Sequence, residues 1–194
     1  MKPEELTKRF RTELYRDRLQ VLARIELRRA GLLQHKMSAS DVVQDALVQA
    51  LARLPQFRGN TDPEFYGWLR AILANKLADA ARHYGRKKRD AALEKSFRQC
   101  LDKSARNIED LIAADQTSPS QHVLRHERAR RLADALDALP SEQRVAVEDH
   151  HLAGYSVAET AKRMDRSSAA VAGLLRRGLK TLRENLEGRE REPG

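Results

Sequence analysis

The 194-residue chain carries 37 Lys and Arg against 28 Asp and Glu, a net charge of +9 with its six His neutral, which predicts a polyanionic partner and says nothing of the fold. Its one cysteine, Cys100, excludes an internal disulfide and a cysteine-built zinc cluster. No apolar run approaches the roughly 20 residues of a membrane helix, and the opening MKPEELTKRF has no signal-peptide core, so no membrane insertion and a cytoplasmic location are expected.

Few Gly and Pro, abundant Ala, Leu, Arg and Glu, and almost no β-branched alternation predict an all-α protein. Residues 1–89 are dense in helical periodicity, 90–119 are polar and end in ADQTSPS, and 120–194 are periodic again as far as residue 187. The expected organisation is two small helical domains joined by a flexible linker at 90–119, with transient helices around Ala91 to Leu101 and Asn107 to Ala114.

In chain order, the first informative stretch is SASDVVQDALVQALARL, where serine caps open a helix with Val43, Ala46, Leu47, Ala50, Leu51 and Leu54 on the inner side. Asp41, Gln44, Asp45 and Val48 fall together on another side. Carboxylates near a helix N-terminus meet a favourable dipole, but an acidic, amide-bearing patch in a basic protein also suits docking of a basic partner. A loop follows in FRGNTDPEFYGWL, leading into a long helix through Tyr84 whose Phe65, Trp68, Leu69, Ile72, Leu73 and Leu77 suffice to pack it. Asn75, Asp79, Arg82 and Arg86 form a polar stripe that runs into RHYGRKKR. Such a stripe is either a solvated helix end with favoured cations or a groove for nucleic acid, in which cations neutralise phosphates and aromatics receive an unstacked base.

In the second half, His150 and His151 are adjacent, so their side chains should diverge around a helix and make a poor metal pair. Ser156 followed by Glu159 is a capping-box pattern that should start a helix with Ala158, Ala161 and Met164 on its inner face. Asp165-Arg166-Ser167-Ser168 supplies a corner, and a second helix should begin near Ser168 with Val171, Leu174, Leu175, Gly178 and Leu182 inside. Ala169, Ala172, Gly173, Arg176, Arg177, Lys180 and Arg183 then lie nearer the outer face. Two helices joined by so short a corner are a helix-turn-helix. It reads either as a hairpin with a solvated basic face or as a unit docking in the DNA major groove, and the small residues before the arginines favour the second.

The stretches SDVVQDALVQAL, FRGN and FYGWLRAILANKLADAARHYGRKKRD resemble region two of the extracytoplasmic-function group of bacterial sigma-70-type RNA polymerase sigma factors. ALDALPSEQRVAVEDHHLAGYSVAETAKRMDRSSAAVAGLLRRGLKTLRENL resembles region four, with Leu139-Pro140 opening it and Gly154 before the helix-turn-helix. The resemblance implies a region-two domain over 1–89, a linker over 90–119 and a region-four domain over 120–194. It implies a non-enzymatic protein that binds core RNA polymerase, recognises promoter DNA, melts it and starts transcription, with no cofactor. By similarity, Asp41, Gln44 and Asp45 would face the clamp helices of the β′ subunit. Phe57, Asn60, Thr61, Trp68 and Asn75 would surround an extruded minus-10 base, with Arg82, Arg86, Lys87, Lys88 and Arg89 on phosphates. Ser167, Ser168, Ala172, Gly173, Arg176, Arg177 and Lys180 would line the minus-35 surface. Ala172 and Gly173 stand where many members carry long polar side chains, which shifts the weight of base reading to Arg176 and Arg177, and Asp149 stands where an apolar residue is usual. An anti-sigma factor is a further partner that the family allows.

A helix-turn-helix repressor or activator would account for residues 120–187 equally well, but leaves the Asp41 to Asp45 patch and the Asn75 to Arg89 stripe unexplained. A DNA-processing enzyme needs convergent carboxylates for metal ions or a nucleophile beside a base. Asp41, Asp45 and Asp79 are the one set that tempts, and capping or docking explains them more simply, so no catalytic residue and no metal are expected.

Overall fold

A computed structural model describes residues 15–32, 38–85, 91–113 and 122–188, and among them lie eight α-helices and no strand. The chain divides between Asp102 and Lys103 into two compact units.

In the first unit, α1 (Arg16–Arg29), α2 (Ala39–Arg53) and α3 (Asp62–Gly85) pack pairwise against one another. Leu19, Leu22 and Ile25 of α1, Val43, Ala46 and Ala50 of α2, and Phe65, Leu69, Leu73 and Leu77 of α3 are buried. The end of α1 is a Schellman motif: Leu32 N–H donates to Leu27 O at 2.8 Å and Gly31 N–H to Arg28 O at 3.1 Å, with Gly31 at φ +69°. Helix α2 starts as its serines predict, Ser38 Oγ accepting from Asp41 N–H at 3.0 Å. Its inner face differs in two positions. Val42 is buried, whereas Leu51 is 46% exposed beside Val48 at 61%, because Leu51 falls next to Gln44 around the helix, outside the arc that α1 and α3 cover.

Residues 91–113 form one continuous helix, α4 (Ala91–Ala113), in place of the two short helices expected there, and the boundary between the units falls inside it. No Gly or Pro interrupts the segment, and Phe97, Leu101, Ala105 and Ile108, spaced four, four and three residues apart, are all buried. Polar composition hid that stripe.

The second unit is arranged about α8 (Ser168–Gly188), on which α5 (His122–Asp137), α6 (Ser141–Val147) and α7 (Val157–Met164) all pack. Leu136, Leu139, Val147, Leu152, Ala161, Val171, Leu175 and Leu182 form its core. Gly178 lets α8 approach α6 closely: a Cβ there would stand 2.9 Å from Val147 Cγ2. A π-helical turn, Glu148–Leu152, extends α6 and ends at Gly154, whose φ of +74° suits glycine. On α7 the inner residues are Thr160 and Ala161, with Met164 half-buried and Ala158 exposed rather than inside. With only eight residues, α7 turns toward α8 a face too narrow to include Ala158.

Candidate nucleic-acid interface

The loop between α2 and α3 is held by α3's own first turn. Glu64 Oε2 accepts from Asn60 N–H and Thr61 N–H, each at 3.0 Å, and from Thr61 Oγ at 2.7 Å, while Glu64 N–H donates back to Thr61 Oγ1 at 3.4 Å. This is a reciprocal capping box, and the Thr61 hydroxyl, followed by the two backbone amides, holds the Glu64 carboxyl below its usual range. The signal T-D-P-E is present in the sequence. Tyr15, at the N-cap of α1, anchors the same turn, its hydroxyl donating to Asp62 Oδ1 at 2.6 Å, and burial together with that bond pushes its pKa upward. Asn60 and Thr61 are exposed on this fixed loop.

Behind the loop lies an aromatic cluster. Phe57 is buried, with its ring centroid 5.3 Å from both Phe65 and Trp68, and Trp68 is half-buried, 5.6 Å from Phe65. Gly59 permits the tuck, since a Cβ on it would meet the Phe57 ring at 2.4 Å. Asn75, two turns along α3 from Trp68, is half-buried, and its Oδ1 is enclosed without a hydrogen-bond partner. Arg82 is already engaged by two carboxylates, Asp79 one turn before it and Glu94 of α4 at 3.1 Å. Arg86, Lys87, Lys88 and Arg89 lie outside the described residues. On α2, Asp41, Gln44 and Asp45 are all exposed, and the only large exposed hydrophobics among the described residues, Val48 and Leu51, continue their stripe.

The helix-turn-helix is built by local bonds. Ser156 N–H and Oγ each donate to Glu159 Oε2 at 2.8 Å, and Glu159 N–H returns to Ser156 Oγ at 3.2 Å, so the backbone amide and then the hydroxyl of Ser156 lower the Glu159 pKa. Helix α7 ends at Asp165 in the left-handed region, φ 53°, with Arg166 N–H reaching back to Ala161 O at 3.0 Å. Ser167 then caps α8, its Oγ accepting from Ala170 N–H at 3.2 Å. Arg166 pairs with Glu142 of α6 at 2.7 Å, which ties the corner to the body of the unit and raises the Arg166 pKa.

Ser167, Ser168, Ala172, Arg176, Arg177 and Lys180 are exposed and Gly173 is half-buried, so α8 turns its small and basic residues outward. The guanidinium of Arg177 folds back over Gly173, where an added Cβ would sit 3.4 Å from Nη1. Asp149, the acid at a position that is usually apolar, is buried, and Arg163 Nε of α7 reaches its Oδ2 at 3.0 Å while stacking on the Tyr155 ring at 4.4 Å. His150 and His151 do not diverge. Their ring centroids stand 4.7 Å apart, because the wider π turn changes the angle between successive side chains, and His150 Nδ1 is 2.7 Å from Tyr155 O. No cluster of three or more His, Cys, Asp or Glu able to hold a metal ion occurs among the described residues, and no helix among them is long and apolar enough to cross a membrane.

Residues 14–87 match the family described as Sigma-70 region 2, and residues 129–182 that described as Sigma-70, region 4. The chain is 30% identical over 177 residues to the ECF RNA polymerase sigma factor SigF of Caulobacter vibrioides, covering 90% of this chain and 87% of the relative. It is 28% identical over 159 residues to SigD of Mycobacterium tuberculosis, covering 81% and 68% of the two chains. To SigX of Bacillus subtilis it is 25% identical over 156 residues, covering 80% and 74%.

Proposed function

Because the chain belongs to the ECF group of the sigma-70 family and is an RNA polymerase sigma factor directing promoter recognition and transcription initiation, we propose how its surfaces divide that work. Sigma factors are initiation factors that act with RNA polymerase inside the cell, and this one acts without catalytic residues or a cofactor, in the cytoplasm. The region-two domain, residues 1–89, docks on core polymerase through Asp41, Gln44 and Asp45, which meet basic residues of the β′ clamp helices. Phe57, Asn60, Thr61, Trp68 and Asn75 receive a minus-10 base, and Arg82 with the cluster Arg86, Lys87, Lys88 and Arg89 holds phosphates. The region-four domain, residues 120–194, binds the minus-35 element through Ser167, Ser168, Ala172, Gly173, Arg176, Arg177 and Lys180. Residues 90–119 connect them, and an anti-sigma factor is the partner that would hold the protein inactive.

The observation that carries this reading is the pairing, on one chain, of an exposed acidic face on α2 with an exposed basic face on the second helix of a helix-turn-helix. Capturing an unpaired base offsets an unstacking cost of a few kcal/mol, and two linked DNA-reading modules raise one another's effective concentration. The test combines the pure protein with core RNA polymerase and maps transcript starts on genomic DNA. New, specific starts are expected. Asp45→Arg should abolish co-elution with core polymerase while leaving helical content intact, because charge reversal on an exposed face meets basic partner residues. A folded Asp45→Arg protein that still binds would overturn the docking assignment.

A further inference from the structure

We propose that Asn107, with Lys103 beside it, is a positioning residue of the minus-35 module, an inference that rests on the reading of α7 and α8 as that module. Both residues lie outside the two stretches that match the family.

The chain that enters the helix-turn-helix leaves a π turn at Leu152 and bends at Gly154. Carbonyl groups at such a helix end have no partner within the helix and need donors from elsewhere. Asn107 Nδ2 donates to Leu152 O at 2.8 Å, and Lys103 Nζ lies 3.4 Å from Gly154 O. A carbonyl can only accept, so the amide nitrogen is the atom that faces it. Residues 103 and 107 are one turn apart on α4, on the same side of the helix. The cation also suits the negative end of the helical turn it meets. Tyr155 completes the corner: its N–H donates to Asp149 O at 3.0 Å and its carbonyl meets His150 Nδ1.

The next residue, Ser156, caps α7. With eight residues α7 has about two turns, so its start sets its direction, and a shift at the corner is carried to Asp165 and the beginning of α8. Asn107 and Lys103 thereby fix the entry of a DNA-reading element from 45 and 51 residues away. Neither needs to touch DNA.

The test uses the full-length protein with core polymerase on two templates derived from one mapped promoter, both pre-melted across the minus-10 element. One keeps its minus-35 element and the other has it scrambled. Asn107→Leu, similar in size but without a donor, should lower the ratio of transcription between the two about fivefold, the size expected of one lost neutral hydrogen bond. Transcription from the scrambled template should hold, and Asn107→Gln, which retains the amide donor, should recover most of the ratio. An unchanged ratio in Asn107→Leu, an equal loss on both templates, or a loss that glutamine does not relieve would each overturn the proposal. Arg176→Ala is run alongside. If it leaves the ratio unchanged, the minus-35 reading itself fails and the role of Asn107 falls with it; if it lowers the ratio while Asn107→Leu does not, only the role of Asn107 is lost.

Discussion

Arg163 holds the buried carboxylate of Asp149 at 3.0 Å, with the arginine side chain 27% exposed and the aspartate side chain 2% exposed. The two members of this pair therefore have unequal access to water. Removing the arginine takes its ion-pair partner from a buried carboxylate, which costs about 3 kcal/mol, whereas removing the acid leaves a cation that can turn to solvent. Arg163→Leu should thus lower the unfolding free energy far more than Asp149→Leu, measured by denaturant titration of each variant. Equal losses would mean that the pair is held by packing rather than by charge.

Asp165 occupies the left-handed region at φ 53° in the corner of the helix-turn-helix. A side chain there carries a steric cost that glycine avoids, so Asp165→Gly should stabilise the second unit by about 1 kcal/mol. Thermal unfolding followed by circular dichroism should show a higher midpoint. A lower midpoint would show that the aspartate side chain stabilises the corner by more than its backbone strain costs.

The Asn75 carbonyl oxygen is enclosed and without a partner, so truncating the side chain sacrifices no hydrogen bond from that atom. Asn75→Ala should accordingly fold and bind core polymerase much as the parent does, yet impair opening of a duplex promoter if the amide meets an extruded base. A template pre-melted across the minus-10 element should recover much of the activity. Permanganate reactivity of unpaired thymines, read beside transcript yield, checks this, and normal opening would remove Asn75 from the melting site.

Burial, and then the neighbouring charge of His150, lowers the pKa of His151 in the folded protein. The unfolded chain, with His near its ordinary value of about 6.5, then binds more protons than the folded one just below that pH, so stability falls as the solution is acidified. The contribution is fully present above about pH 6.5 and is lost as pH drops toward the lowered folded value. His151→Phe should flatten the fall in stability between about pH 7 and 5 relative to the parent. Parallel stability profiles for the two proteins would show that His151 does not drive it.

Much of the architecture is legible from short-range pattern. The caps at Ser38 and Ser156, the start of α8 at Ser168 and the outward set Arg176, Arg177 and Lys180 emerge as the sequence predicts, since each depends on residues within one or two turns. The exposed set Asp41, Gln44 and Asp45 follows from periodicity in the same way. The box that Thr61 and Glu64 form was also readable, being a local hydrogen-bond pattern.

Other features depend on which neighbour covers a face. The exposure of Leu51, the burial of Thr160, the single helix through 91–113 and the paired rings of His150 and His151 are set by packing partners and by a π turn that periodicity at 3.6 does not anticipate. Arg82 reads in sequence as part of a polar stripe with Asp79, and Glu94 from the next helix pairs with it as well. Asp149 reads as misplaced until Arg163, 14 residues on, is folded against it, and Asn107 reads as linker until Leu152 arrives 45 residues later. Local sequence determines where helices begin, end and turn their charge, because those choices are made within a few residues. Tertiary structure alone decides which buried polar groups find one another, because only folding brings distant donors and acceptors into a place from which water is excluded.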